Sequence, residues 1–226
     1  FLNKVTNGDC LEVMKDLPSK CVDLVLTDPP YELDSSKPSK SKIMYLGKFN
    51  SNEYEQITNG FDLENIFTEF KRICKKMNLF CFCSNKQISS IMKWSENKGF
   101  ITTLLVWNKT NSAPFANGVW RSDIEYCVHI REKGACFQGN AELKKKITSL
   151  PINPSRWGHP TEKPIELIKK YLTIGSKKGD LVLDCFGGSG TTARACKDLG
   201  RNFILIEKEK KYCEICENRL RQEVLF

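Results

Sequence analysis

The sequence predicts an α/β fold, an open and mostly parallel central sheet with helices on both faces. Three observations point there. The runs at 22–27, 79–83, 180–184 and 202–206 are almost continuously apolar, as strands covered on both faces must be. Between the first two, Leu63, Ile66, Phe67, Phe70, Ile73, Cys74 and Met77 recur at three- and four-residue spacing. That period marks a helix over 63–77 with one face turned to a core, and such strand–helix alternation builds parallel sheets. Finally, two of the strands run straight into Asp28-Pro29-Pro30-Tyr31 and Cys185-Phe186-Gly187-Gly188-Ser189-Gly190. The carboxyl ends of strands are where open α/β sheets hold their ligands.

From the amino end, Lys4-Val5-Thr6 reads as a short strand and Asn7-Gly8-Asp9-Cys10 as a turn. Asp9 is placed to cap a short helix over 10–17 that Pro18 ends. At 28–31 the prolines stop the sheet, because neither has an amide hydrogen for a ladder and each fixes its own φ. A carboxylate, a rigid turn with free carbonyls and an aromatic ring are thereby gathered at one strand end. The following 33–60 is polar and rich in Ser, Pro and Lys, and reads as a mobile basic loop. Lys37, Lys40 and Lys42 could close there on substrate phosphates; a solvated insertion is the other reading.

After the helix at 63–77 and the strand at 79–83 come a helix over 86–97 closed by Gly99 and strands at 101–107 and 124–130. Two stretches break that rhythm. One carries Lys109 and Arg121; the other carries Lys144, Lys145, Lys146 and Arg156. Cations interleaved with amides and aromatics suit phosphates and base edges, although either run would also serve as a solvated face. His159-Pro160-Thr161-Glu162-Lys163-Pro164 then opens a helix over 165–174, with Pro164 at a first helical position.

The last third holds a strand at 180–184, the glycine turn, a helix over 193–199 and a strand at 202–206 that ends in Glu207. Glycines let a ligand approach the backbone, and a helix start offers unpaired amides. A carboxylate about 20 residues beyond such glycines is the usual holder of ribose hydroxyls.

With 226 residues the chain has enough length for one substantial core. Lys and Arg outnumber Asp and Glu by 35 to 27, a net +8, which suits a polyanionic partner without demanding one. No apolar segment approaches the roughly 20 residues of a membrane span and no signal-peptide pattern opens the chain, so a soluble, cytoplasmic protein is expected. The chain does not open on Met, and its closing Glu223-Val224-Leu225-Phe226 resembles part of a protease-site tag, so trimming at either end is expected. Eleven cysteines are many, yet Cys213-x-x-Cys216 has no second pair and the only histidines are His129 and His159. Reduced, mostly buried thiols and no metal are expected.

Taken together, the motifs resemble the β-class DNA amino-methyltransferases, which move a methyl group from S-adenosyl-L-methionine to N6 of adenine or N4 of cytosine. Asp28-Pro29-Pro30-Tyr31 matches their D/N/S-P-P-Y/F/W, Phe186-Gly187-Gly188-Ser189-Gly190 matches F-x-G-x-G, and His159 to Pro164 matches H-P-T-x-K-P. The order, catalytic turn first and cofactor turn last, is that of the β arrangement, and the likeness covers 7 to about 220. It implies a Rossmann-like methyltransferase fold with circularly permuted motif order. One catalytic domain would span 1–226, with a short target-recognition segment over about 108–160.

The resemblance also assigns roles. Asp28 and the Pro29 carbonyl would accept hydrogen bonds from the target amino group, Pro30 would stiffen the turn, and Tyr31 would stack on a base flipped out of duplex DNA. Donor contacts would come from Asp9, Cys10 and Asp28, and from Thr161 and Lys163 near the methionine end. Asp184, Phe186, Gly187, Gly188, Ser189, Gly190, Thr191, Thr192 and Glu207 would complete that set. Lys37, Lys40, Lys42, Lys109, Arg121, Lys144, Lys145, Lys146 and Arg156 would meet DNA. So short a recognition segment implies a small footprint or help from a second subunit, such as a homodimer partner.

Cys185 departs from the family's usual Pro in D-P-F, losing a rigid φ but sparing the glycines and Glu207. Adenine is the favoured target because the cytosine enzymes more often carry Ser where this chain has Asp28; protein-glutamine methyltransferases typically carry Asn. Two other readings stand beside these. Gly188-Ser189-Gly190-Thr191-Thr192-Ala193 also fits a dinucleotide pattern, although such a site needs neither Phe186 nor the Pro-Pro turn. A non-catalytic donor- or DNA-binding subunit would keep the fold and act through a partner.

Overall fold

The computed structural model describes residues 1–31, 60–112, 120–153 and 162–222. Its strands are β1 (Lys4–Asn7), β2 (Leu24–Thr27), β3 (Asn78–Cys83), β4 (Ile101–Lys109), β5 (Ile124–Arg131), β6 (Ile147–Leu150), β7 (Leu181–Asp184) and β8 (Asn202–Glu207). They form one sheet in the order β1-β8-β7-β2-β3-β5-β4-β6. All neighbours run parallel except around β5, which is antiparallel to both β3 and β4. The helices are α1 (Cys10–Lys15), α2 (Leu63–Ile73), α3 (Ile88–Asn97), α4 (Ile165–Gly175), α5 (Thr191–Asp198) and α6 (Lys210–Arg221).

The apolar runs bury both faces, and their alternate residues feed two cores. Val25, Leu79, Cys81, Cys83, Leu183, Ile204 and Ile206 pack with α1, α2 and α3 through Met14, Phe67, Phe70, Ile91 and Trp94. Leu24, Leu26, Phe80, Phe82, Val182, Phe203 and Leu205 pack with α4, α5 and α6 through Tyr171, Leu172, Ala193 and Cys216. Period-two alternation thus survives inside runs that look uniformly apolar.

Where boundaries differ from expectation, backbone pairing explains it. The helical period runs to Met77, but α2 stops at Ile73 because Cys74 turns extended and forms a bridge with Val22. Cys74 and Met77 stay buried all the same, so the apolar pattern outlasts the helix. β6 and α6 lie outside the expected elements. β6 is a short edge strand of half-exposed residues, and the buried positions of α6 are Cys213, Cys216 and Arg219, a stripe that does not read as apolar.

A buried histidine locks β5 to β3. His129 stacks on Phe80 with centroids 3.9 Å apart, and its Nε2 lies 3.1 Å from Asn78 Oδ1. The Asn78 amide nitrogen already donates to the carbonyls of Cys136 and Gly175, so its oxygen requires a donor and the ring supplies it as a neutral imidazole. Burial, with Arg131 adding to it, pushes His129 down to about 3. Below about pH 6.5 the unfolded chain binds a proton that the folded chain refuses, so stability falls as the pH is lowered through that window. Between pH 6.5 and 5 the loss should be about 2 kcal/mol. Urea titrations at pH 7, 6 and 5 should show this slope in the native protein and lose it in His129→Gln.

Candidate active site

Parallel pairing of β2 with β7, Leu24 beside Val182 and Val25 beside Leu183, brings together two turns that are far apart in sequence. From β2 the chain crosses to β3 on one side; from β7 it crosses to β8 on the other. Their helices, α2 and α5, lie on opposite faces, and a cleft opens where the winding reverses. Thr27 Oγ1 pins the two ends by donating to Asp184 Oδ1 at 2.9 Å. Desolvation pushes Asp184 up to about 6, and the Phe186 amide donates to the same oxygen.

On the β7 side, Gly190 caps α5 with φ +78°, a left-handed conformation that favours glycine. At Gly187 a Cβ would lie 2.3 Å from Leu205 Cδ2, so the turn lies flat against β8. The Gly188 amide donates to Glu207 Oε2 at 2.7 Å and the Glu209 amide to Oε1 at 2.8 Å. Both carboxylate oxygens are held, yet each keeps a lone pair. Burial raises the Glu207 carboxyl although these amides oppose it. Arg219 of α6 reaches the turn from behind, pairing with Glu162 at 2.6 Å and donating to Thr191 Oγ1 and the Ser189 carbonyl. Asp9 caps α1, its Oδ1 accepting from Leu11 and Glu12.

On the β2 side the carboxylate of Asp28 is held by a lysine. Lys163, with only 6% of its side chain exposed, places Nζ on Asp28 Oδ2 and 3.2 Å from Glu125 Oε2. Glu125 also pairs with Lys109 at 2.6 Å and accepts from the Tyr31 hydroxyl at 3.3 Å. The Lys163 ammonium lies 5.4 Å from the Tyr31 ring centroid and 5.1 Å from that of Phe82. Gln87 Nε2 donates to the Pro30 carbonyl at 3.0 Å, tying the turn to the segment after β3.

Asp28 Oδ1 is buried and accepts no hydrogen bond. Desolvation raises the Asp28 carboxyl while Lys163 pulls it down, and burial wins. For Lys163 the balance is reversed: burial lowers it, and the two carboxylates more than compensate. One cavity of about 580 Å³ carries Asp28, Pro29, Pro30 and Tyr31 on one wall and Gly187, Gly188 and Glu207 on another. Sites for small organic ligands span roughly 300–1,000 Å³.

The profile of a DNA methylase family covering N6 and N4 methyltransferases matches residues 22–218. The chain belongs to this family. Among curated relatives of this methylase, the type II methyltransferase M.HinfI of Haemophilus influenzae is 29% identical over 98% of this chain and 69% of its own. The type II methyltransferase M2.LlaDCHI of Lactococcus lactis subsp. cremoris is 27% identical over 98% and 90%. The M1.HpyAVI–SAM crystal structure superposes with a TM-score of 0.67 at 28% identity, over 97% of this chain and 99% of that one. PvuII DNA methyltransferase, described as cytosine-N4-specific, shares the fold with a TM-score of 0.73 at 17% identity, over 98% and 87%.

As a family member the methylase is an S-adenosyl-L-methionine-dependent DNA methyltransferase of the N6/N4 class. Its residues fit that donor: an amide-held carboxylate with spare lone pairs and a glycine backbone laid open. Among the described residues, no group of His, Cys, Asp or Glu is placed to hold a metal ion, and no helix is long and apolar enough to cross a membrane.

The cleft gathers Asp9, Cys10, Phe186, Ser189, Thr191 and Thr192 with the residues above. Lys163, expected beside the donor's methionine end, lines the same cleft and has its amine at Asp28. Lys109, expected at DNA, points inward with 12% of its side chain exposed. Arg121 donates to Ser112, Lys145 pairs with Glu142, and Lys144 sits 4.6 Å from the Phe137 ring centroid. Lys146 precedes β6 at the far sheet edge, where its carbonyl accepts from Val106. Lys37, Lys40, Lys42, Arg156 and Thr161 lie outside the described residues, as does the 33–60 loop apart from Gly60. Glu125 and Arg219 were not singled out by sequence. Each is a lone charge without a motif, and only the register of β5 or the position of α6 brings it to the cleft.

Proposed function

We propose that this chain methylates N6 of adenine in duplex DNA, with the base flipped into the pocket formed by Asp28, Pro29, Pro30 and Tyr31. The observation that carries the reading is Asp28 Oδ1: a buried acceptor without a partner, on the wall of the cleft that also holds the glycine turn. An exocyclic amino nitrogen is a poor nucleophile because its lone pair is delocalised into the ring. Hydrogen bonds from its protons to Asp28 Oδ1 and the Pro29 carbonyl favour a tetrahedral nitrogen with the lone pair free. S-adenosyl-L-methionine supplies a methyl group activated on a sulfonium centre.

The chain's contribution is alignment and charge placement. Tyr31 offers a ring face for the flipped base, and Asp28 is positioned to take the proton released from the methylated amine. Glu207 holds ribose hydroxyls, with the glycine turn against the rest of the donor. Arg121, Lys144, Lys145 and Lys146 contribute phosphate contacts from the recognition stretch over about 108–160, and a second subunit widens the footprint. Asp28, in place of the Ser more usual for cytosine, supports adenine.

Incubating the chain with labelled donor and mixed-sequence duplex DNA, followed by nucleoside mass spectrometry, tests the assignment. N6-methyladenine is the expected product; N4-methylcytosine alone would overturn it. Removing the ribose holder gives a separate check. Glu207→Ala deletes an amide-held carboxylate, and hydrogen bonds to charged groups are worth about 1.5–3 kcal/mol. Calorimetry should therefore show donor affinity weakened roughly 10- to 150-fold.

A further inference from the structure

We propose that Glu125 is a positioning residue for methyl transfer: it draws the Lys163 ammonium to the Oδ2 side of Asp28, keeping Oδ1 free of the lysine for the target amino group. This rests on the reading of Asp28 as the amino-group acceptor.

Glu125 lies on β5, opposite Trp107 of β4, and comes from no motif. Its carboxylate collects three donors: Lys109 on Oε1, and Lys163 and the Tyr31 hydroxyl on Oε2. Asp28, Lys163, Glu125 and Lys109 therefore form a chain of alternating charge that sums to zero. A buried ammonium with three protons seeks acceptors in every direction it can reach. Here one carboxylate oxygen of each acid takes it, and the remaining Asp28 oxygen is without a partner.

Without Glu125, the released N–H would turn to Asp28 Oδ1, the other oxygen of the carboxylate that already binds Lys163. Lys163 would then cover both oxygens of Asp28 and compete with the incoming base. The Tyr31 hydroxyl would lose its bond to Glu125 in the same step and keep only its interaction with Asp28, loosening the ring meant to receive that base. Glu125 does not touch the glycine turn, so its effect belongs to the base side of the cleft.

The test uses the full chain, labelled S-adenosyl-L-methionine and mixed-sequence duplex DNA under single-turnover conditions, with donor affinity measured in parallel. Asp28→Ala serves as the reference. Glu125→Gln should slow transfer about 100-fold, the scale of a small misplacement of reacting groups, with donor affinity changed less than about threefold. Glu125→Asp keeps the charge but withdraws it by one methylene, and should fall between, roughly tenfold below the native rate. A native rate in Glu125→Gln with an inactive Asp28→Ala overturns the role of Glu125 alone. An active Asp28→Ala overturns the reading beneath it. Parallel loss of donor affinity would place Glu125 in the donor site and also reject the proposal. If Glu125→Gln does not fold, Glu125→Asp decides, and a native rate there counts against it.

Discussion

Asp28→Ala should lower the methylation rate by at least about 10²–10³-fold, the usual cost of deleting a group aimed at charge developing in a transition state. Donor affinity, measured by calorimetry, should stay within a few-fold, because Glu207 and the glycine turn are untouched. The fold should survive, since Lys163 keeps Glu125 as a partner. The native enzyme should also lose rate on the acid side at a pH above the ordinary aspartate range. Burial raises the Asp28 carboxyl, and protonation occupies the acceptor.

Lys163→Met should have the largest effect on stability. It removes the cation shared by Asp28 and Glu125, leaving Asp28 without its ion partner and Glu125 with Lys109 alone. Breaking a buried pair on one side costs about 3–5 kcal/mol, which for a domain of this size is a fall in Tm of roughly 6–20 °C. The sign of its pH dependence follows from which groups are left. Both stranded carboxylates would be pushed upward, so the deficit is full at neutral pH and shrinks as acid protonates them. Calorimetric scans at pH 7 and 5 should show the variant approaching the native protein at the lower pH. Methylation should be lost as well, with Asp28 neutralised.

What was legible in the sequence was whatever the backbone itself demands. The Pro-Pro turn and the glycine turn announce themselves because few other residues tolerate those conformations, and both occur where apolar runs end. The strands β2, β3, β7 and β8 and the helix α2 were legible for the same reason: each carries its own period. The side-chain partnership around Asp28 was not. The motif around Lys163 does not record its carboxylate partners: a buried ammonium needs them, and Glu125 arrives through an antiparallel strand between β3 and β4. No local pattern records that register. The pairing of Lys109 with Glu125 was hidden for a related reason. A lysine at the end of β4 looks solvated until its acidic partner is known. Arg219 and α6 escaped because cysteines and an arginine form the buried stripe.

The pairing of β2 with β7 has a consequence for how such a protein can change. The distance between the two turns is inherited from neighbouring backbones about 4.8 Å apart, and no loop length enters it. Connections at the rim can lengthen, shorten or exchange residues and so revise what the cleft touches. Through all of that, the gap between the two facing ends stays where the ladder set it, so target choice can drift while the chemistry remains in register.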